Sequence, residues 1–174
     1  MGSRSNLVLR QAQYNPERSR RIELAYIAGF LDGDGSLMLQ IKKRKDGRIG
    51  IRFMPTICFY QDTRHEKELY WIREVLDIGY ISRRNDGMTE LRVNGFEQVR
   101  DILTLLLPYI RFKKLQSEAL YNACDILIHT KFKMLTKEQL VSLVDFILVI
   151  QSENYVTKKK KTKGDLFALL DLTP

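Results

Sequence analysis

The chain has 174 residues, 44% apolar and 29% charged, with a formal net charge of +8. This is the composition of an ordinary globular domain with a real core, and its basic balance suits an acidic partner, nucleic acid first. Two cysteines (Cys58, Cys124) and two histidines (His65, His129) exclude a disulfide framework, a zinc site and histidine-triad chemistry.

In chain order, residues 22–31 are expected to form a helix, with Ser19 or Arg20 near its start and Gly33 and Gly35 stopping it. From 36 to 44 the pattern alternates, with Leu37, Leu39 and Ile41 on one face and Ser36, Met38, Gln40, Lys42 and Arg44 on the other. Asp46-Gly47 signals a tight hairpin turn. Alternation resumes at 49–60, where Ile49, Ile51, Phe53, Ile57 and Phe59 oppose Arg48, Arg52, Met54, Thr56, Cys58 and Tyr60. Pro55 cannot donate to a ladder, which predicts a bulge or an edge there. A helix follows at 64–77, ended by Gly79, then a second hairpin at 80–93 turning at Asn85-Asp86-Gly87. Helices are expected at 96–107, 113–128 and 137–150, and a basic tail ends in a short helix. Residues 1–18 read as an extension, 19–155 as the core and 156–174 as the tail.

This order predicts an α+β fold, an antiparallel sheet with helices on one face. The opposite face then collects Lys42, Arg44, Arg48, Arg52, Arg84 and Arg92, with Glu90 opposing, and with Gln40, Thr56 and Ser82 among them. Strands of this length extend roughly 30 Å at about 3.3 Å per residue, enough to follow a major groove. No apolar run approaches the roughly 18 residues that span a bilayer, so no membrane is expected.

The segment "AYIAGFLDGDGSLMLQI", residues 25–41, needs its own account. Ala25, Gly29 and Gly33 recur every four residues, with Ala28 beside them, and Gly in a helix interior costs about 1 kcal/mol against Ala. Close approach of a second helix would offset that cost. Asp32, Asp34 and Ser36 imitate a calcium loop, but Leu37 stands where the loop needs Gly and Lys43 where it needs Glu. A like helix packed alongside would bring a second terminal carboxylate near the first, a place for a divalent cation between them.

"YIAGFLDGDGS" resembles the motif of LAGLIDADG homing endonucleases, and element order extends the resemblance over about residues 20–130. The resemblance implies the αββαββα fold, a curved sheet, and motif helices meeting at a two-fold interface made here by Ala25, Ala28, Gly29 and Asp32. It implies that Asp34 and the Gly33 carbonyl hold Mg2+, that Mn2+ substitutes, and that Ca2+ binds without supporting cleavage. Asp32 would be mainly structural. Gln61 would orient water, and His65, four positions later, would be a basic partner, with Arg64 adjacent. Lys113 would lie near the scissile phosphate, with Lys114 and Arg111 as alternates. Ser36, Met38, Gln40, Lys42, Arg44, Arg48, Arg52, Met54, Thr56, Cys58, Ser82, Arg84, Glu90 and Arg92 would face DNA, and Lys158, Lys159, Lys160 and Lys161 would touch its backbone.

No second motif is present, so one chain supplies half a site, and a homodimer on a near-palindromic duplex is expected. The implied activity is metal-dependent cleavage of both DNA strands, leaving short 3′ overhangs, inside a cell with access to DNA, organelle or prokaryotic cytoplasm alike. The alternatives are a maturase bound to intron RNA, or a non-catalytic nucleic-acid-binding protein.

Overall fold

A computed structural model of the chain describes residues 15–43, 50–154 and 160–172. Arg44, Arg48, the Asp46-Gly47 turn, Lys158 and Lys159 lie outside the described residues. The first helix, α1 (Pro16–Asp34), starts earlier than expected. Asn15 caps it by accepting from the N–H groups of Glu17 (3.0 Å) and Arg18 (3.2 Å), and Pro16 takes the first position, where its missing N–H costs nothing. Gly33 lies within the helix, and Gly35 ends it. A Cβ on Gly35 would meet the Leu31 backbone at 2.8 Å, so only glycine lets the chain pass from helix straight into strand.

Strands β1 (Gly35–Lys43) and β2 (Ile51–Asp62) form the first hairpin. A 3-10 turn (Thr63–His65) leads into α2 (Lys67–Leu76), then β3 (Tyr80–Arg83) and β4 (Met88–Asn94) form the second hairpin. Helices α3 (Phe96–Leu106), α4 (Lys114–His129), α5 (Lys137–Glu153) and α6 (Lys163–Leu169) complete the described chain. The sheet is antiparallel with order β1-β2-β4-β3.

Pro55 makes neither a bulge nor a break. Its ladder to β1 runs unbroken, with Pro55 opposite Leu39. The ladder to β4 begins only at Thr56, so β2 has a free margin at the proline on that side.

The odd-numbered strand residues Leu37, Leu39, Phe53, Ile57, Phe59, Leu91 and Val93 are buried with Leu24, Ile27, Ala28 and Leu31 of α1 and the apolar stripes of α2 to α5. Each such Leu or Ile contributes roughly 1.5–3 kcal/mol on full burial. Helix α5 lies along β1, an edge strand, and Asn154 just past it donates to the Leu37 carbonyl at 3.3 Å. The segment expected as tail folds back: α6 packs on α5, and Lys163 pairs with Asp145 at 2.8 Å.

Candidate active site

The first hairpin brings the site together. Gly35 pairs with Phe59 and Ser36 with Cys58, so the end of α1 and the end of β2 lie side by side. An open cleft of about 660 Å³ forms there, lined by Gly33, Asp34, Ser36, Tyr60, Gln61, Asp62, Arg84, Met88, Lys113 and Asn154 among others. Asp34, Gln61 and Lys113, separated by up to 79 positions in sequence, share this one cleft. Gln61 is fixed by the Asp62 N–H, which donates to its Oε1 at 2.9 Å.

Lys113 Nζ donates to the carbonyl of Asp32 and, at 3.4 Å, to that of Gly33. These are carbonyls of the last turn of α1, at the negative end of its dipole. Burial pushes the Lys113 ammonium below its ordinary value, while Asp32 and Asp34 hold it up. An internal cation thus already rests on an oxygen expected to bind metal. The donor set at this helix end, the exposed Asp34 carboxylate and the Gly33 carbonyl, is all oxygen and suits a hard divalent cation. Among the described residues no three His, Cys, Asp or Glu side chains cluster as a metal site.

His65 does not line the cleft; it is exposed on the 3-10 turn. The adjacent Arg64 is engaged by Asp62 through Nε (3.0 Å) and Nη2 (2.9 Å), and holds that carboxyl well below the usual range. Arg84, expected from sequence to face DNA, also lines the cleft, as does Asn154, which the sequence does not single out. Nothing local in the sequence marks Asn154, because it reaches the cleft from the end of α5.

The turn bearing His65 is pinned from behind. Arg83 donates to Glu66, and so does Thr89 Oγ1 at 2.8 Å, which together hold the Glu66 carboxyl down at about 2. Its folded value lies below the unfolded one near ~4.3, so its stabilisation is present above that pH and is lost as pH falls toward the folded value. Thermal melts should show Glu66→Gln losing less stability than the unaltered protein between about pH 5 and pH 2.

The outer face of the sheet follows the expected parity. Ser36, Cys58, Arg92 and Tyr80 form one cross-strand row, Tyr60, Glu90 and Ser82 the next, and Lys42 lies opposite Arg52. Lys42 and Arg52 are exposed, and Ser36, Met38, Gln40, Met54, Ser82 and Arg92 half-buried. Thr56, Cys58 and Glu90 are buried, which corrects the expectation that they face DNA directly. Thr56 donates to Asn94 Oδ1 at 2.7 Å, and Cys58 lies 3.8 Å from Glu90, which accepts from Arg92 Nε at 2.7 Å. Parity assigns the side of a sheet, not the depth, and these groups are consumed within it. Burial pushes the Cys58 thiol up to about 11. Beside this face a groove lined by Met38, Gln40, Lys42, Gln151, Asn154 and Lys161 brings Lys161 up to β1, with Lys160 exposed.

On α1 a second correction is needed. Ala28 and Asp32 are buried within the chain itself, because Leu24, Ile27, Ala28 and Leu31 fall on one helical stripe. The exposed face instead presents Ile22 (61% exposed) and Tyr26 (60%) with Ala25, Gly29 and Gly33.

The LAGLIDADG endonuclease family model matches residues 27–126, and the DNA endonuclease I-CvuI of Chlorella vulgaris is 32% identical over 111 residues, 64% of this chain and 69% of that one. The chain belongs to the LAGLIDADG endonuclease family. The crystal structure of I-CvuI in complex with its target in 2 mM Ca superposes with a TM-score of 0.78 at 25% identity, covering 88% of this chain and 96% of that one. A second I-CvuI structure, on the I-CreI target in 2 mM Mg with the DNA not cleaved, gives a TM-score of 0.71 at 26% identity over 88% and 95%. The matched residues of the LAGLIDADG chain contain Asp34, Gln61 and Lys113, together with both hairpins.

Proposed function

We infer that this LAGLIDADG endonuclease is a homing endonuclease that works as a homodimer, cutting both strands of a long, near-palindromic duplex and leaving short 3′ overhangs. The observation that carries this reading is the meeting of Asp34, Gln61 and Lys113 in one cleft at the end of a polar, arginine-bearing sheet face. The described residues offer one such cleft and one sheet, so two chains related by a two-fold axis would supply two half-sites.

In this mechanism the exposed sheet residues seat the duplex in its major groove. Asp34 and the Gly33 carbonyl would hold Mg2+. When bound, the metal supplies Lewis-acid chemistry, polarising the phosphoryl oxygens and acidifying the attacking water. The Gln61 carboxamide orients that water. The Lys113 ammonium faces the charge that develops on the phosphate, where a preorganised donor is worth about 10²–10³ in rate. Mn2+ substitutes for Mg2+, and Ca2+ supports binding without cutting.

Selection of cleaved products from a randomised duplex library in Mg2+ tests the reading. A discrete, near-palindromic site is expected. Tight binding of intron RNA with no duplex product would favour the maturase alternative instead.

Affinity should fall steeply with salt. A protein bound to 6–10 phosphates would lose about 10³–10⁵ in affinity between about 50 and 200 mM salt. Lys42→Ala should reduce the slope of log affinity against log salt by about 1, measured by titration of labelled duplex in Ca2+. An unchanged slope would mean that Lys42 touches no phosphate.

A further inference from the structure

Lys113 is the N-cap residue of α4, and its side chain makes no capping bond to that helix. The N–H groups there are bound from elsewhere. Arg111 N–H donates to Asp32 Oδ2 at 2.7 Å, Phe112 N–H to the same oxygen at 3.2 Å, and Lys113 N–H to Oδ1 at 3.0 Å. Both oxygens of Asp32 are therefore used, and the residue is only 9% exposed. Bonds to an ionised carboxylate are roughly twice as strong as neutral ones, and an anion is favoured at a helix N-terminus. Lys113 Nζ then turns back onto the carbonyls of Asp32 and Gly33. The two segments are tied twice, once by carboxylate to backbone and once by ammonium to backbone.

We propose that Asp32 is the positioning residue for Lys113. Its carboxylate fixes the backbone of residues 111–113, and that backbone aims the Lys113 ammonium into the cleft beside Asp34. Asp32 touches neither metal nor phosphate. Its substitution acts on cleavage through Lys113, and it ties the first acidic residue of the motif to the basic residue of a different helix. This proposal rests on the endonuclease reading above.

A double-mutant cycle of Asp32→Asn and Lys113→Met separates the two. Single-turnover cleavage is measured at saturating duplex and Mg2+, duplex affinity in Ca2+, and melting temperature in EDTA. Asp32→Asn should slow cleavage roughly 10- to 100-fold, the scale of a displaced catalytic group, with affinity unchanged within about twofold. In the Lys113→Met protein the same substitution should change the rate by less than about twofold, because the group it positions is gone. The melting temperature should fall on Asp32→Asn in both backgrounds. Losses in rate that multiply would overturn the proposal and leave Asp32 as a fold-holding residue. If Asp32→Asn does not fold, Asp32→Ser, which retains one acceptor oxygen, takes its place under the same criteria. Hydrogen exchange on the unaltered, metal-free protein gives an independent reading: the amides of residues 111–113 should be protected, and exchange at the free-chain rate would overturn the tie. Absence of cleavage by the unaltered protein would instead count against the endonuclease reading.

Discussion

Asp34→Asn is expected to abolish strand cleavage while duplex binding in Ca2+ stays intact. Three carboxylates surround the end of α1 and the end of β2, and two are spoken for. Asp32 binds three backbone amides, and Asp62 is held by Arg64. Asp34 is the exposed carboxylate that remains in the cleft. Asn keeps its size but loses the anionic oxygen that a hard cation needs. The Lewis-acid contribution of a catalytic metal is several kcal/mol, and each ~1.4 kcal/mol is tenfold, so the loss in rate should be at least about 10³. Binding should hold or tighten slightly, because a negative charge facing phosphate is removed. Quenched single-turnover assays on the selected duplex, beside titrations in Ca2+, check both halves. Cutting at an undiminished rate would end the assignment of Asp34 as the metal ligand.

Much of this site could be read from local pattern. The even-numbered strand residues form the polar face because the register pairs even positions with even positions, from Ser36 with Cys58 to Tyr60 with Glu90. The small-residue face of α1 and the strands of both hairpins follow from periodicity, and the second hairpin also from the turn chemistry of Asn85-Asp86-Gly87. What escaped the sequence is what depends on depth or on distant partners. Cys58 and Glu90 lie on the expected side yet are buried, because neighbouring long side chains decide depth. Ala28 resembles Ala25 in sequence, but it falls on the core stripe of the helix. His65 stands four positions past Gln61, yet it lies on the 3-10 turn Thr63–His65, outside the cleft. The partners of Asp32 are 79 to 81 residues away, a distance no local pattern reports.

Gly29→Leu should separate the proposed homodimer into folded monomers. Among the described residues, a Cβ at Gly29 meets nothing within 4 Å, and the same holds for Gly33. Packing among the described residues therefore gives no reason for glycine at either position, although glycine in a helix costs about 1 kcal/mol against Ala. Ile22 and Tyr26 lie exposed on the same helix, so this face combines open apolar surface with a bare backbone. A second copy of α1, as proposed, would account for both. On a two-fold axis each substitution occurs twice, and overpacking costs typically 1–3 kcal/mol per site, so dimerisation should weaken by about 2–6 kcal/mol. That corresponds to roughly 30- to 10⁴-fold in the dimer dissociation constant. Sedimentation at micromolar concentration should show a monomer for the variant, with helical content and melting cooperativity retained. Gly29→Ala, with one methyl, should fall between the two. A Gly29→Leu protein that stays dimeric would place the interface elsewhere, and the cleft would then need another source for its second carboxylate.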